Sequence, residues 1–132
     1  MSTQRTFPSP GTNVENQPFW DAAARGRFLV KHCSGCGKSH FYPRAICPHC
    51  FSDQTEWRES AGTGTIYSFS VMRRVPQPYA IAYVTLDDGV TVMSNLVDCD
   101  LDGLAIGQRV KVAFRASDGA VTIPVFVPVA AD

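Results

Sequence analysis

The second half of the chain alternates apolar and polar positions with the period of two that is typical of β-strands. After Gly62 the successive segments are TGTIYSFSVMRR, YAIAYVTL, VTVMSNLVD, RVKVAFRA and VTIPVFVPV. Turn sequences separate them, with DDG at 87–89, a glycine at 107 and SDG at 117–119. Five strands at this spacing predict a small barrel or sandwich over residues 61–132, and the five-stranded OB-fold is the natural candidate.

The strand patterns also predict which side chains face inward. Tyr67, Phe69, Tyr79 and Tyr83 are expected mainly in the barrel core, because Tyr67 and Phe69 alternate with small residues. The last strand contains two prolines, at positions 124 and 128. Proline cannot donate to a sheet ladder, so this strand is predicted at an edge of the sheet.

The first half divides into a tail over residues 1–16 and a helical and cysteine-rich unit over residues 17–60. Good helix formers, Pro18 in the first turn and Gly26 as a stop predict a helix over 17–25. Short extended segments, FLVKH and QTEWRES, surround the cysteines. Phe19 and Trp20 of the helix either pack on their own domain or dock into another protein.

Composition and charge narrow the class of protein. The chain has 132 residues, 45% of them hydrophobic, with 12 basic and 12 acidic side chains. This balance argues against a general nucleic-acid binder, which is usually strongly basic. The sequence shows no apolar core of the signal-peptide type and no run of about 18 apolar residues. We therefore expect a cytoplasmic protein with reduced cysteines and no membrane contact.

Charge is unevenly distributed along the chain. No acidic residue lies between Asp21 and Asp53, an interval that holds all three histidines. The basic residues of this interval are Arg25, Arg27, Lys31, Lys38 and Arg44. The cysteine-rich half is therefore cationic, whereas residues 61–132 carry five basic against seven acidic side chains.

Four of the five cysteines form two C-x-x-C pairs, Cys33 with Cys36 and Cys47 with Cys50, with ten residues between the pairs. Two such knuckles facing each other supply a tetrahedral cage of thiolates, which predicts one structural zinc ion. Iron could occupy the same cage. Four thiolates leave no open position for water or substrate, so the metal is predicted to be structural and not catalytic.

The remaining chemistry-bearing residues do not suggest an active site. His32, His40 and His49 flank the cage and are expected on the surface or in supporting contacts around it. Cys99 stands apart between two aspartates, which raise a thiol pKa, and all three histidines lie in the other half of the chain. We predict that the chain alone is not an enzyme.

The ordered set of motifs resembles one known family over residues 17–128. The set comprises PFWDAAARGRFLVKHCSGCGKSHFYPRAICPHC, a tryptophan at 57, GTGTIYSFSV, YAIAYVTLDDGVTVMSNL and IGQRVKVAF. It is similar to the zinc-ribbon/OB-fold acyl-CoA-associated family, long catalogued as a domain of unknown function. FYPR at 41–44 departs mildly from the Phe-Pro-Pro-Arg form that many members carry.

The resemblance implies a rubredoxin-like zinc ribbon joined to an OB-fold. It also implies a small partner subunit, in a hetero-oligomer, of a thiolase-superfamily enzyme or another acyl-CoA enzyme. The partner would carry the catalytic residues. Bridging enzymes and helping to hold the coenzyme A arm are the roles that the resemblance suggests for the small chain.

Cationic side chains are the candidate contacts to coenzyme A phosphates or to a partner. The candidates are Arg44, Lys31, Lys38, Arg73 and Arg74, with ordinary solvated surface as the alternative. Arg44 stands inside the ribbon motif and is singled out, although it could instead brace the knuckle through backbone carbonyls. Phe19 and Trp20 are the candidate docking residues.

A module for single-stranded nucleic acid is the alternative function. OB-folds and zinc ribbons both bind single strands through cationic grooves with stacking aromatic residues. The net acidic charge of residues 61–132 opposes phosphate binding and weighs against this alternative.

Overall fold

Within residues 6–129, which the computed structural model describes, one α-helix, one 3₁₀ turn and eight β-strands follow one another. They are α1 (Gln17–Ala23), β1 (Phe28–Cys33), β2 (Ser39–His40), β3 (Thr55–Ser60), β4 (Thr63–Met72), β5 (Tyr79–Leu86), β6 (Thr91–Leu96), the 3₁₀ turn (Leu101–Gly103), β7 (Arg109–Ala116) and β8 (Thr122–Pro128). The predicted helix is present but shorter by two residues at its end. The mainly β architecture is confirmed.

The ribbon is a three-stranded antiparallel sheet in the order β2-β1-β3. β1 pairs with β3 along its whole length, from Phe28 opposite Ser60 to Cys33 opposite Thr55. This pairing places Cys33 at the end of a rigid strand, so the first knuckle begins where the sheet ends.

The second half closes into a barrel with the strand order β4-β5-β6-β8-β7. β4 pairs with β7 from Thr63 opposite Lys111 to Thr65 opposite Arg109, and this pairing completes the closure. A closed five-stranded barrel is the architecture predicted for residues 61–132.

The prediction of β8 as an edge strand is wrong. β8 lies between β7, with which it pairs antiparallel, and β6, with which it pairs in parallel at Leu96 opposite Phe126. Towards β6 its backbone accepts hydrogen bonds: Val97 N donates to Phe126 O at 2.9 Å, and Ser94 Oγ donates to Pro124 O at 3.1 Å. Proline lacks only the amide hydrogen, so its carbonyl can still join the ladder.

The inward orientation expected for Tyr67 and Tyr83 is also wrong, since these side chains are 67% and 49% exposed. β4 carries a bulge between Ile66 and Ser68, so that Tyr67 has no partner on β5. The extra residue reverses the alternation at this point. Ile66 faces inward before the bulge and Phe69 packs against the core after it, which leaves Tyr67 outside.

One hydrophobic core joins the ribbon and the barrel. Buried residues of both halves form a single cluster. The Phe28 ring of β1 meets the Phe126 ring of β8 in a T-shaped contact, with 6.1 Å between centroids. The helix α1 packs against both β1 and β8. The two halves are therefore held together by packing as well as by the chain.

Part of the predicted tail lies on the barrel. Asp118 N donates to Phe7 O at 2.8 Å, and Ser9 N donates to the Asp118 carboxylate at 2.9 Å. The tail from residue 7 onwards is thus fastened to the β7–β8 turn, whereas positions 1–5 of the predicted tail lie outside the described residues. Across residues 6–129, none of the helices has the length and apolar character needed to cross a membrane.

Candidate metal centre and its surroundings

Two backbone knuckles of the same geometry present the four paired cysteines. In the first, Gly37 N donates to Cys33 O at 2.8 Å and Cys33 N donates to Lys38 O at 2.9 Å. In the second, Phe51 N donates to Cys47 O at 2.9 Å and Cys47 N donates to the Ser52 carbonyl at 2.8 Å. The position after each pair is left-handed, with φ of 77° at Gly37 and 64° at Phe51.

The structure brings the four predicted ligands into one cage. All four Sγ atoms lie within 4.8 Å of one another. The Cys33–Cys50 and Cys36–Cys47 sulfur pairs are 3.6 and 3.7 Å apart. A tetrahedron with metal–sulfur bonds of about 2.3 Å has edges of about 3.8 Å, whereas a disulfide bond is only about 2.05 Å long. The donor set and its spacing fit a tetrahedral metal ion.

The thiols of Cys47 and Cys50 have their pKa values shifted in opposite directions within the cage. Burial raises the pKa of Cys47, but amide hydrogen bonds from His49 and Cys50, with contacts from the neighbouring thiols, lower it to about 6. The Ser52 amide lowers the pKa of Cys50, but burial and the other three cysteines raise it to about 12. Because thiolates are the metal ligands, metal binding to the cage would release thiol protons.

The histidines surround the cage in different ways. His32 Nδ1 lies 3.0 Å from Ser39 Oγ. The His40 ring stands 6.5 Å from that of His49, and burial lowers the pKa of His40. His40 is 7% exposed, and a contact with the Arg44 backbone partly opposes the effect of burial on its pKa. Its burial had no signal in the sequence beyond its position beside the first knuckle.

The three cationic residues of the ribbon that are predicted to contact a ligand differ in solvent exposure. Lys31 is only 9% exposed, with its ammonium 4.5 Å from the Trp57 ring centre. Burial lowers the pKa of Lys31, and the charge of Glu15 partly opposes this effect. Arg44 is exposed and its guanidinium lies 4.8 Å from the Tyr42 ring centre, while Lys38 is exposed. Arg44 and Lys38 are thus free to meet a ligand, whereas Lys31 is held inside the ribbon.

The two barrel cations lie after β4 and do not belong to the ribbon surface. Arg73 forms an exposed ion pair with Asp102 at 2.8 Å. Arg74 is exposed and forms no ion pair with any of the described residues. The five predicted contact residues therefore divide between two regions of the molecule.

The structure places Phe19 in the core of this chain and not on a docking surface. Its side chain is 2% exposed and makes T-shaped contacts with Trp20, Phe28 and Phe41. Trp20 is half-buried beside it. These contacts support the interpretation that Phe19 and Trp20 pack on their own domain, because the Phe19 ring is enclosed by rings of α1, β1 and the following loop.

An apolar cavity of about 360 Å³ lies between the tail, α1, the ribbon and the barrel. Its lining includes Trp20, Phe41, Tyr42, Pro43 and Met93. No sequence pattern marks this cavity, because its walls come from segments that are distant along the chain.

A second cavity, of about 300 Å³, contains Cys99. The Arg115 guanidinium in its wall pairs with the Asp98 carboxylate. Burial, then Asp100 and Asp98, raise the pKa of the Cys99 thiol. These surroundings disfavour the thiolate form of Cys99.

Comparison with known proteins assigns both halves of the chain. Residues 20–56 match the family model described as the ChsH2 rubredoxin-like zinc ribbon domain. Residues 57–115 match the model described as the ChsH2 C-terminal OB-fold domain.

Individual relatives carry names of two kinds. A probable enoyl-CoA hydratase alpha subunit of Thermomonospora curvata is 34% identical over 92% of this chain, which spans only 40% of that relative. A DUF35 domain-containing scaffold protein of Methanocaldococcus jannaschii is 34% identical over 68% of this chain and 72% of the relative. Among solved structures, a chain of the Ltp2-ChsH2(DUF35) aldolase superposes with a TM-score of 0.81 at 34% identity, covering 91% of this chain and 98% of that one.

Proposed function

This chain belongs to the family that joins a ChsH2-type rubredoxin-like zinc ribbon to a ChsH2-type OB-fold, and we propose that it is a non-catalytic accessory subunit of an acyl-CoA enzyme of the thiolase superfamily. The observation that carries the proposal is its match, over nearly the full length of both chains, to a chain of the Ltp2-ChsH2(DUF35) aldolase. One structural zinc ion in the four-cysteine cage is part of the proposal.

The chemistry of the chain supports a non-catalytic role. Four thiolates complete a tetrahedral shell, so a metal in the cage has no open position for substrate. Cys99 has a raised pKa, and the three histidines of the sequence stand at positions 32, 40 and 49 in the ribbon. The nucleophile and the base of an acyl-CoA reaction would therefore come from the partner.

A contact to coenzyme A is supported by the surroundings of Arg44. Its guanidinium stacks on Tyr42, and Tyr42 lines the apolar cavity of about 360 Å³. Coenzyme A joins phosphates to an apolar pantetheine arm, which suits a cation beside an apolar cavity. We propose Arg44 as the principal contact to coenzyme A, with Lys38 as a second exposed ribbon cation, and Arg73 and Arg74 as barrel cations that contact the partner enzyme.

Affinity purification of the full-length chain from its native host, followed by mass spectrometry, tests the accessory role. We expect a thiolase-like or other acyl-CoA enzyme in stoichiometric amount and no turnover of acetoacetyl-CoA by the chain alone. The proposal fails if no acyl-CoA enzyme is recovered, or if the isolated chain turns over substrate.

Arg44→Ala tests the proposed contact. We expect unchanged zinc content and roughly tenfold weaker binding of acyl-CoA or of the recovered partner, as for loss of one charge-assisted hydrogen bond. Arg58→Ala is the matched control, since Arg58 is an exposed ribbon arginine paired with Glu56. Equal affinities of the two variants would remove Arg44 from the proposal. Isothermal titration calorimetry measures both affinities.

A nucleic-acid-binding module is the second candidate, which the exposure of Tyr67 and Tyr83 favours. The strands that carry these rings contain no cation to neutralise phosphate. A salt-sensitive mobility shift with a labelled single-stranded oligonucleotide would support this alternative.

A further inference from the structure

Three neighbouring barrel strands contain no charged residue. β4, β5 and β6 together hold 24 residues, and none of them is Asp, Glu, Lys or Arg. In contrast, β7 contains Arg109, Lys111 and Arg115. The solvated face of an antiparallel sheet normally carries polar and charged side chains, so the absence of charge across three strands is unusual for a surface in contact with water.

Several outward positions of these strands carry large, mainly apolar side chains, beside the smaller Ser68, Ser70 and Asn95. The register aligns Tyr83 with Ser68 on one side and Met93 on the other, and it aligns Ile81 with Ser70 and Asn95. Met72, Ile81, Tyr83 and Met93 are 47%, 41%, 49% and 61% exposed. We call the outward positions of β4–β6 the uncharged face.

The uncharged face is not flat. The small side chains of Ser68 and Ser70 leave a shallow apolar hollow of about 130 Å³ beside Ile81, Tyr83 and Met93. Exposed tyrosine and methionine next to a hollow, with no charge at the centre, are typical of the core of a protein–protein interface.

Among the described residues, charged side chains stand just beyond both ends of these strands. Arg74 follows β4 at the end where Met72 pairs with Tyr79, and Asp88 lies in the β5–β6 turn at the other end. Neither side chain forms an ion pair with any of residues 6–129. An eight-residue strand places the two opposite charges roughly 25 Å apart. An apolar centre with a charged rim fits a partner that has an acidic group opposite Arg74 and a basic group opposite Asp88.

From these observations we infer that the uncharged face of β4–β6 is the surface on which the partner enzyme subunit docks. This inference rests on the accessory role proposed above and adds the location of the contact. A second copy of this chain is a poorer occupant, because three strands offer roughly 400 Å² while a stable interface buries about 800 Å² on each partner. A larger enzyme subunit can extend its contact beyond the rim.

Tyr83→Asp and Met93→Asp place a charge at the centre of the face. We expect each variant to bind the acyl-CoA enzyme recovered with the wild-type chain at least about 30-fold more weakly, as for loss of an interface hot spot. Tyr83→Phe should bind as the wild type does. Val14→Asp is the matched control, because Val14 is 94% exposed and lies outside the barrel. Zinc content and thermal unfolding establish that each variant is folded.

Changing Asp88 at the rim of the face provides a second, kinetic test. Asp88→Lys should slow association with the same partner and alter its salt dependence, with little effect on dissociation. Surface plasmon resonance resolves the two rates.

The outcomes separate this inference from the proposed function. Recovery of an acyl-CoA enzyme that binds folded Tyr83→Asp and Met93→Asp as tightly as the wild type overturns the docking face and leaves the accessory role intact. An equal loss in Val14→Asp also overturns it, as does a dimer of the isolated wild-type chain that Tyr83→Asp dissolves. Recovery of no acyl-CoA enzyme overturns the accessory role and the docking face together.

Discussion

At the scale of single residues, the metal cage depends on four sulfur atoms that the chain brings together from two knuckles. Cys33 and Cys47 are completely buried, and Cys50 reaches the surface. In the second knuckle, Phe51 takes the left-handed conformation that Gly37 takes in the first, and its ring is 80% exposed. A non-glycine residue in this conformation costs about 1 kcal/mol, which metal binding readily offsets.

Cys47→Ser is expected to lose the metal and unfold the ribbon. Structural zinc contributes about 10–16 kcal/mol of apparent binding free energy in zinc-finger peptides, and a serine hydroxyl is a poor substitute for a thiolate. The control is Cys99→Ser, which should retain one equivalent of zinc because Cys99 lies outside the cage. Elemental analysis of the purified variants measures the metal. A red, redox-active wild-type protein would identify iron in place of zinc.

Asp87→Asn tests an ion pair that fixes the β5–β6 turn to β4 and β7. Arg109 donates to both Asp87 oxygens at 2.8 Å, and the Thr63 hydroxyl donates to Oδ2 at 2.7 Å. These bonds hold the pKa of Asp87 far below its usual value. The stabilisation is therefore complete above pH of about 4, the pKa of an unfolded aspartate, and is lost as pH falls through the folded pKa.

We expect Asp87→Asn to unfold at a lower temperature than the wild type at pH 7, with the difference shrinking below pH of about 4. Thermal unfolding at a series of pH values measures this difference. Both proteins would release a bound metal at low pH, so they are compared with each other at the same pH. Asp88→Asn should match the wild type at every pH, since Asp88 makes no ion pair with another described residue. A constant gap between Asp87→Asn and the wild type at all pH values would refute the assignment to charge.

At the scale of elements, the sequence predicts which segments form strands. It does not predict which side chains face inward throughout β4 or which neighbours β8 has in the barrel. All five barrel strands lie where the alternation indicates them. The bulge at Tyr67 reverses the alternation within β4, and no local sequence signal marks an extra residue. The prolines of β8, which lack an amide donor, predict an edge strand, but the carbonyl groups of β8 accept hydrogen bonds from residues of β6 and just after it. Both errors arise because pairing depends on the neighbouring strand as well as on the strand's own sequence.

Gly64→Ala is expected to destabilise the protein by about 1–3 kcal/mol through close contact between strands. A Cβ atom at Gly64 would lie 2.4 Å from Thr85 O and 2.9 Å from Leu86 Cα, and backbone atoms of a barrel cannot withdraw easily. Gly11→Ala is the control, since no atom lies within 4 Å of its added Cβ. Urea unfolding measures both variants, and equal midpoints would contradict the proposed clash.

At the scale of the whole molecule, the ribbon and the barrel share one core. Phe28 contacts Phe126 of the barrel, and Phe19 of α1 packs on Phe28. Because the ribbon contributes to this core, we expect metal binding in the cage to stabilise the barrel as well. The uncharged face lies on the barrel strands β4–β6, so a folded ribbon also supports the proposed docking surface.

Phe28→Ala is expected to cost about 3–5 kcal/mol and to uncouple the two halves. Wild-type protein should unfold in one transition that shifts to lower temperature when a chelator removes the metal. In Phe28→Ala the barrel transition should become insensitive to the chelator. Phe51→Ala serves as the control, because Phe51 is exposed and contributes nothing to the core. Differential scanning calorimetry distinguishes these outcomes, and an unchanged chelator effect in Phe28→Ala would contradict the coupling.

Local sequence patterns alone predict the four-cysteine cluster, the helix, the five barrel strands and the family. These features depend on spacing and alternation between near neighbours, which the chain encodes locally. Tertiary structure decided that Lys31 is held over Trp57, that Phe19 is covered, and that Tyr83 and Met93 stand on one exposed face. These properties depend on which distant segments meet across the sheet and the core, and only the folded chain fixes those contacts.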